Sequence, residues 1–241
     1  MFRRLFFILF LIPVTIYYSI RMLLVDPANC TPEEYDRWGL RWGAAAVWLS
    51  GIRIEADMGD IDPKGHYVFI GNHQSNLDIP VLFTLLKGNR IRFVAKKSLF
   101  DIPIYGKALA HSGHISIDRD NRRAAMESLN AAVATAQAGI SPLVFPEGTR
   151  NTQLDDLMDF KIGGMILALK CGLPVVPFVM TGTGKVMPKG AKVIDNRHVV
   201  RFKALPVIDP AKYSIKDREA FKDDLRAMMS SAYRELLARD S

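Results

Sequence analysis

The sequence predicts an α/β fold: a mixed, mostly buried β-sheet flanked by helices, behind an N-terminal apolar helical segment that associates with a membrane. Three observations predict it. From Gly51 onward, short apolar runs alternate with helical ones, the pattern of a sheet packed between helices. Apolar residues make up 49% of the 241, enough for one sizeable core and too many for a disordered chain. Residues 1–25 are the most apolar part of the chain. No repeat, low-complexity tract or second soluble domain is visible, so the boundary falls near Ser50–Gly51. Residues 1–50 form the membrane-associating part and residues 51–241 the α/β domain.

At the N-terminus, Arg3 and Arg4 precede an apolar stretch from Leu5 to Ile20 that Pro13 interrupts and Arg21 follows. A spanning helix needs ~20 apolar residues, and this stretch falls short. A signal peptide fits the basic start, but residues 22–26 offer no small-residue cleavage pattern. A retained membrane anchor is the third reading, with Tyr17, Tyr18 and Arg21 at headgroup depth. The segment Asp36–Ser50 supports the third reading. It holds Trp38, Trp42 and Trp48, which are all three tryptophans, beside Arg37 and Arg41. Such a helix suits a bilayer face, although alone it would read as an ordinary core helix.

The α/β domain reads as follows. Ile52–Glu55 alternates as a strand, and Tyr67–Ile70 is a short apolar strand ending at Gly71. Ile79–Leu86 is helical, while Ile91–Ala95 and Ile115–Ile117 are strands. Arg122–Ala138 is an alanine-rich helix capped by Asp120 or Asn121 and stopped by Gly139. Leu143–Phe145 is a strand and Ile162–Lys170 a helix ended by Gly172. Val175–Met180 and Val199–Leu205 are strands, and Lys216–Arg239 is a long amphipathic helix.

The net charge is +7 with a pI of about 9.4, which suits anionic lipid headgroups, an acidic partner or nucleic acid. The basic residues are dispersed and no nucleic-acid motif is present, so no nucleic-acid partner is expected. Cys30 and Cys171 form no C-x-x-C pair and read as free thiols in a reducing compartment. No closely spaced Cys or His set suggests a metal.

The chemistry gathers in four blocks. Gly71–Asp78 leaves a strand and enters a helix, and His73 and Asp78 lie five residues apart. On a regular helix five steps rotate by about 140°, so they meet only if His73 lies in the turn and Asp78 in the first helical turn. The carboxylate can then fix the imidazole tautomer, the base-and-orienter half of a triad. No G-x-S-x-G elbow supplies a nucleophile, so the base would act on a substrate hydroxyl. Asp78 as a simple helix cap is the bland alternative. In Gly113–Arg119 the Arg stands where a strand gives way to a helix, a place suited to an anion or to a pair with Asp118 or Asp120. In Phe145–Arg150, Pro146 and Gly148 shape the backbone, Glu147 offers an acceptor and Arg150 a fork for phosphate; an internal Glu147–Arg150 pair is the alternative. Leu173–Phe178 reads only as a proline-bracketed buried strand.

The order and spacing of these blocks resemble the glycerolipid acyltransferases, and among them the 1-acyl-sn-glycerol-3-phosphate acyltransferase (lysophosphatidic acid acyltransferase) family. Asn72, His73 and Asp78 match the Asn-His-x4-Asp block, and Phe145–Arg150 matches Phe-Pro-Glu-Gly-Thr-Arg without change. Gly113, Ile117 and Arg119 match the second block, which usually carries Phe where this chain has Ser116. Pro174–Pro177 resembles the fourth, and Lys96 a family position that contributes a basic residue. The resemblance runs from about Gly71 to Phe178.

It implies a glycerolipid acyltransferase-like fold and a transferase of phospholipid biosynthesis. His73 would be the general base oriented by Asp78, without a covalent enzyme intermediate. Lys96, Arg119, Glu147, Gly148, Thr149 and Arg150 would bind substrate, the arginines at the phosphate and Glu147 at the glycerol. An acyl chain from acyl-CoA or acyl-carrier protein would pass to the 2-hydroxyl of lysophosphatidic acid, giving phosphatidic acid, with no cofactor and no metal. The implied setting is a membrane, with the site facing the cytoplasm of a bacterial inner membrane or its equivalent. A different lyso-lipid acceptor and a non-catalytic membrane lipid-binding protein are the alternatives.

Overall fold

The computed structural model describes residues 2–26, 28–29, 31–118 and 122–239. Helices α1 (Phe2–Leu23) and α2 (Pro32–Ser50) pack against each other and lead into the α/β domain. Then come β1 (Arg53–Asp57), β2 (Val68–Gly71), α3 (Asp78–Leu85), β3 (Ile91–Lys96), α4 (Tyr105–His111), β4 (Ile115–Ile117) and α5 (Arg122–Gln137). They are followed by β5 (Ser141–Val144), α6 (Ile162–Cys171), β6 (Val175–Thr181), α7 (Thr183–Val186), β7 (Val199–Ala204) and α8 (Arg218–Ala238).

The seven strands form one sheet in the order β1-β7-β6-β2-β5-β3-β4. All pairings are parallel except β6 with β7, so β1 and β7 run against the other five strands. The mixed, mostly buried sheet is as the sequence predicts. Side-chain alternation explains the two layers on it. Phe69 of β2 faces a core shared with Phe7 of α1 and with Leu77, Val81 and Leu82 in and before α3. Its neighbours Val68 and Ile70 face the other way, against Met165 of α6 and Phe221, Leu225 and Met229 of α8. Period-two alternation thus sorts one strand's residues into two cores.

α1 runs through Pro13 without ending there, and residues Phe6–Leu23 are long and apolar enough to cross a membrane. Yet α1 packs along the domain, with Phe7 near one end and Met22 near the other both buried. α2 starts at Pro32, four residues before the predicted Asp36. Proline suits the first helical turn because its missing N–H is not needed there, and Glu33 and Glu34 complement the helix dipole. Gly51 and Gly172 close α2 and α6 in the left-handed conformation. The predicted caps of α5, Asp120 and Asn121, lie outside the described residues. α4 and α7 went unpredicted because seven and four residues are too short for a periodic pattern to register.

Gly71 ends β2 where β6 crosses closest. A Cβ there would run into the ring of Phe178, which is fully buried and has nowhere to retreat. Gly71→Ala is therefore expected to cost about 1–3 kcal/mol through overpacking. Combining it with Phe178→Leu should return part of that loss. Chemical denaturation of the two single variants and the double variant checks this, and strict additivity would refute the clash.

Candidate active site

The parallel strands β2, β5 and β6 end side by side, and the loops leaving them form the site. This is where open α/β sheets place ligands. α3 begins at Asp78, and His73 lies in the turn before it, the arrangement that the five-residue spacing required. His73 Nδ1 is 2.7 Å from Asp78 Oδ2. The same oxygen accepts the backbone N–H of Gln74 at 2.7 Å and of Ser75 at 3.0 Å. Asp78 is completely buried. A carboxylate oxygen that accepts two N–H groups imposes the donor role on the third partner. Nδ1 therefore carries the proton, and the lone pair of Nε2 is left free.

Asp78 is thus more than a helix cap, since its acceptor holds the imidazole as well as the turn. Asn72 locks the preceding residue: its side-chain N–H donates to the carbonyl of Met180 at 2.9 Å, and its side-chain oxygen accepts from the N–H of Met180 at 2.7 Å. Phe145 stacks on the His73 ring, with centroids 4.2 Å apart and planes 10° from parallel.

Glu147 faces the protein interior. The resemblance assigns it to the glycerol of an acceptor, but it is only 1% exposed. One carboxylate oxygen accepts the N–H of His73 at 2.9 Å and the other that of Met158 at 3.3 Å. No Glu147–Arg150 pair exists among the described residues. The side chain is committed to the backbone that carries the base. Burial pushes its pKa up to about 7, against the opposing pull of those two N–H groups. Asn151 completes the brace, its N–H donating to the carbonyl of His73 at 2.7 Å.

Four further expected ligands line the same turn or a neighbouring strand end. Gly148 adopts φ 73, and Thr149 and Lys96 are exposed. Arg150 is half-buried, and neither it nor Lys96 makes a hydrogen bond or ion pair within the described residues. Arg119 lies outside the described residues, as does Cys30. Burial raises the Cys171 thiol to about 12, so it stays protonated at neutral pH and is no nucleophile.

The three tryptophans have different surroundings. Trp48 is 66% exposed and fits a bilayer face. Trp42 instead turns inward, donating from Nε1 to Thr15 Oγ1 at 3.0 Å and meeting Phe83 edge-on. Trp38 is held between the guanidinium groups of Arg21 and Arg41, at 4.8 and 4.9 Å from its centre. Trp38 and Trp42 line an apolar cavity of about 110 Å³ between α1, α2, α3, β3 and α4, together with Phe83, Phe93, Tyr105 and His114. The Phe93 ring lies 6.2 Å from Phe145, which in turn stacks on His73, so the cavity starts two rings from the imidazole. His114 accepts the N–H of Phe93 at Nδ1. Burial, helped by the Arg92 charge, pushes its pKa down to about 3. It is neutral at physiological pH and no rival to His73.

Two residues escaped the sequence reading. Gln74 donates to the hydroxyl of Tyr233 at 2.6 Å, and that hydroxyl donates to the Leu154 carbonyl at 2.9 Å. The turn that carries His73 is thereby tied to α8. A tyrosine on an amphipathic helix 159 residues away carries no local signal.

Geometrically, the site offers an oriented imidazole with a free nitrogen, unpaired cations at its rim and an apolar cavity behind it. The acyltransferase family model matches residues 54–181 of this chain. The chain is 29% identical to the 1-acyl-sn-glycerol-3-phosphate acyltransferase of Salmonella typhimurium, over 95% of its own length and 94% of that protein. It is 39% identical to a chloroplastic 1-acyl-sn-glycerol-3-phosphate acyltransferase of Brassica napus over 56% of its length, and spans 38% of that longer protein. The crystal structure of the lysophosphatidic acid acyltransferase PlsC from Thermotoga maritima has the same fold, with a TM-score of 0.77 at 23% identity, covering 98% of this chain and 95% of that one.

The raised Glu147 predicts a pH signature. Its folded pKa of about 7 exceeds the ordinary glutamate value of 4.5, so the folded state holds the proton more tightly between these values. Stability should therefore fall as pH rises from about 4.5 through about 7. Glu147→Gln, which cannot ionise, should lack this component. Unfolding free energies of both proteins across that range check it, and identical slopes would refute it.

Proposed function

This chain belongs to the acyltransferase family, and on that premise we propose that it transfers an acyl chain from an acyl thioester to the 2-hydroxyl of 1-acyl-glycerol-3-phosphate. The supporting observation is the His73–Asp78 pair, an oriented base to which no Ser or Cys side chain is hydrogen-bonded among the described residues, the nearby Ser75 hydroxyl donating instead to the Met187 carbonyl at 2.7 Å. His73 Nε2 takes the hydroxyl proton as the acceptor oxygen attacks the thioester carbonyl carbon. A C–O bond forms, the tetrahedral oxyanion collapses, and the C–S bond breaks. The proton held by His73 passes to the departing thiolate. The thioester is already activated, so neither a metal nor a covalent enzyme intermediate is needed in this reading.

The unpaired Arg150 and Lys96 support a phosphate-holding role at the rim, and the resemblance of its block adds Arg119. Glu147 acts here as a positioning residue: it fixes the His73 backbone and leaves the glycerol to other groups. The apolar cavity suits an acyl tail, and either acyl-CoA or acyl-carrier protein would serve as donor. The apolar α1, packed lengthwise on the domain, supports docking on a membrane face. Ser116, half-buried where the family usually has Phe, favours one second reading: a different lyso-lipid acceptor.

The deciding experiment offers purified protein a panel of lyso-lipids with both donor types. Turnover of lysophosphatidic acid above the other acceptors is expected, and none with any acceptor would sink the reading. His73→Ala should lower kcat by about a hundredfold or more while the fold persists; near-normal turnover would remove the base assignment. Arg150→Ala should raise KM for the phosphorylated acceptor roughly 10–100-fold, the size of a lost charge-assisted contact. A fall in kcat alone would contradict the clamp.

A further inference from the structure

The segment between β3 and α4, residues 97–104, turns apolar side chains to solvent beside the apolar cavity. Leu99, Ile102 and Ile104 are 39%, 43% and 38% exposed. The backbone is strained where it holds them. Ile104 sits at φ 65 and ψ −60, a conformation that β-branched residues avoid. Gly106 lies so close to the Phe100 backbone that no Cβ fits. Strain of this kind persists where something other than local stability selects it. Three large apolar side chains clustered in one tight loop mark an interaction surface.

The surroundings identify the partner. α4, which the loop enters, packs on α1. Leu99 and Tyr105 line the apolar cavity opposite Thr15, Tyr18 and Met22 of α1. On the outer side of α1, Ile12, Ile16 and Ile20 are 55%, 43% and 43% exposed. Loop and helix therefore form two apolar banks with the cavity between them. Lys97, which pairs with Asp118 at 3.2 Å, precedes the exposed apolar residues, and Lys107 follows them in the first turn of α4. Both lysines are exposed, as is Asp101 between Leu99 and Ile102, on a chain of net charge +7. Apolar side chains flanked by lysines match the boundary between acyl chains and anionic headgroups.

We propose that residues 97–104 are a second membrane-contact element: Leu99, Ile102 and Ile104 enter an anionic bilayer beside α1, and Lys97 and Lys107 rest on its headgroups. This rests on the reading that α1 docks on a membrane. It gives the cavity a lipid-facing mouth, so that a single-chain phospholipid reaches the site from within the bilayer plane.

The test uses the full chain with Cys30→Ser and Cys171→Ala and one added cysteine carrying a polarity-sensitive fluorophore. The label is placed at Ile102→Cys, at Ile16→Cys on α1, or at Glu219→Cys on α8, which packs on the other sheet face. Vesicles of phosphatidylglycerol and phosphatidylethanolamine are added, with and without a quencher attached near the lipid carbonyls. The labels at 102 and 16 should shift to the blue and lose emission to the quencher, whereas the label at 219 should do neither. Phosphatidylcholine vesicles should give a weaker response at 102. If the label at 16 responds and that at 102 behaves like 219, the loop proposal falls while the anchor stands. If neither responds, both fall. A shift at 102 that follows protein concentration without vesicles assigns the loop to a second copy of the chain and overturns the proposal.

Discussion

One buried oxygen organises this molecule's site. Oδ2 of Asp78 accepts from the His73 ring and from the backbone of Gln74 and Ser75, all within 3.0 Å. Those three donors close the turn between β2 and α3. A buried carboxyl group needs hydrogen-bond partners, and here Oδ2 takes three from the turn itself while Oδ1 has none among the described residues. The fold of the turn and the orientation of the imidazole therefore depend on the same oxygen. A neutral apolar residue at 78 would remove the acceptor for the imidazole and the closure of the turn together.

Around this centre the backbone of His73 is gripped from outside its own loop. Glu147 accepts its N–H, Asn151 donates to its carbonyl, and Phe145 covers its ring. All three belong to the segment after β5, the strand next to β2. Parallel pairing brings the two strand ends together, so residues more than seventy positions apart act as one rigid cradle. Such preorganisation removes the cost of orienting the imidazole in any reaction that uses it.

Much of this was readable beforehand, for physical reasons. The short apolar strands and the alanine-rich α5 carry strong local patterns. Helical geometry set the one condition under which His73 and Asp78 could meet, the His in the turn and the Asp in the first helical turn, and left a plain helix cap open. The six residues Phe145–Arg150 announced a site through the improbable company of Pro, Glu, Gly and Arg at a strand end. What escaped depends on tertiary placement. Whether Glu147 faces a ligand or a backbone amide is decided by how β5 sits beside β2. Whether Trp42 faces lipid or Phe83 is decided by how α2 is rolled on α3. Gln74 and Tyr233 find each other across 159 residues, which no window along the sequence can connect.

The helix that looks like a detachable leader is built into the chemistry. Phe7 of α1 packs in the same core as Phe69 of β2, and Thr15, Ser19 and Met22 form one wall of the apolar cavity. Removing α1 would leave the imidazole and its carboxylate in place but open the cavity to water. One helix thus closes two interiors at once, the core under the sheet and the cavity two rings from the imidazole.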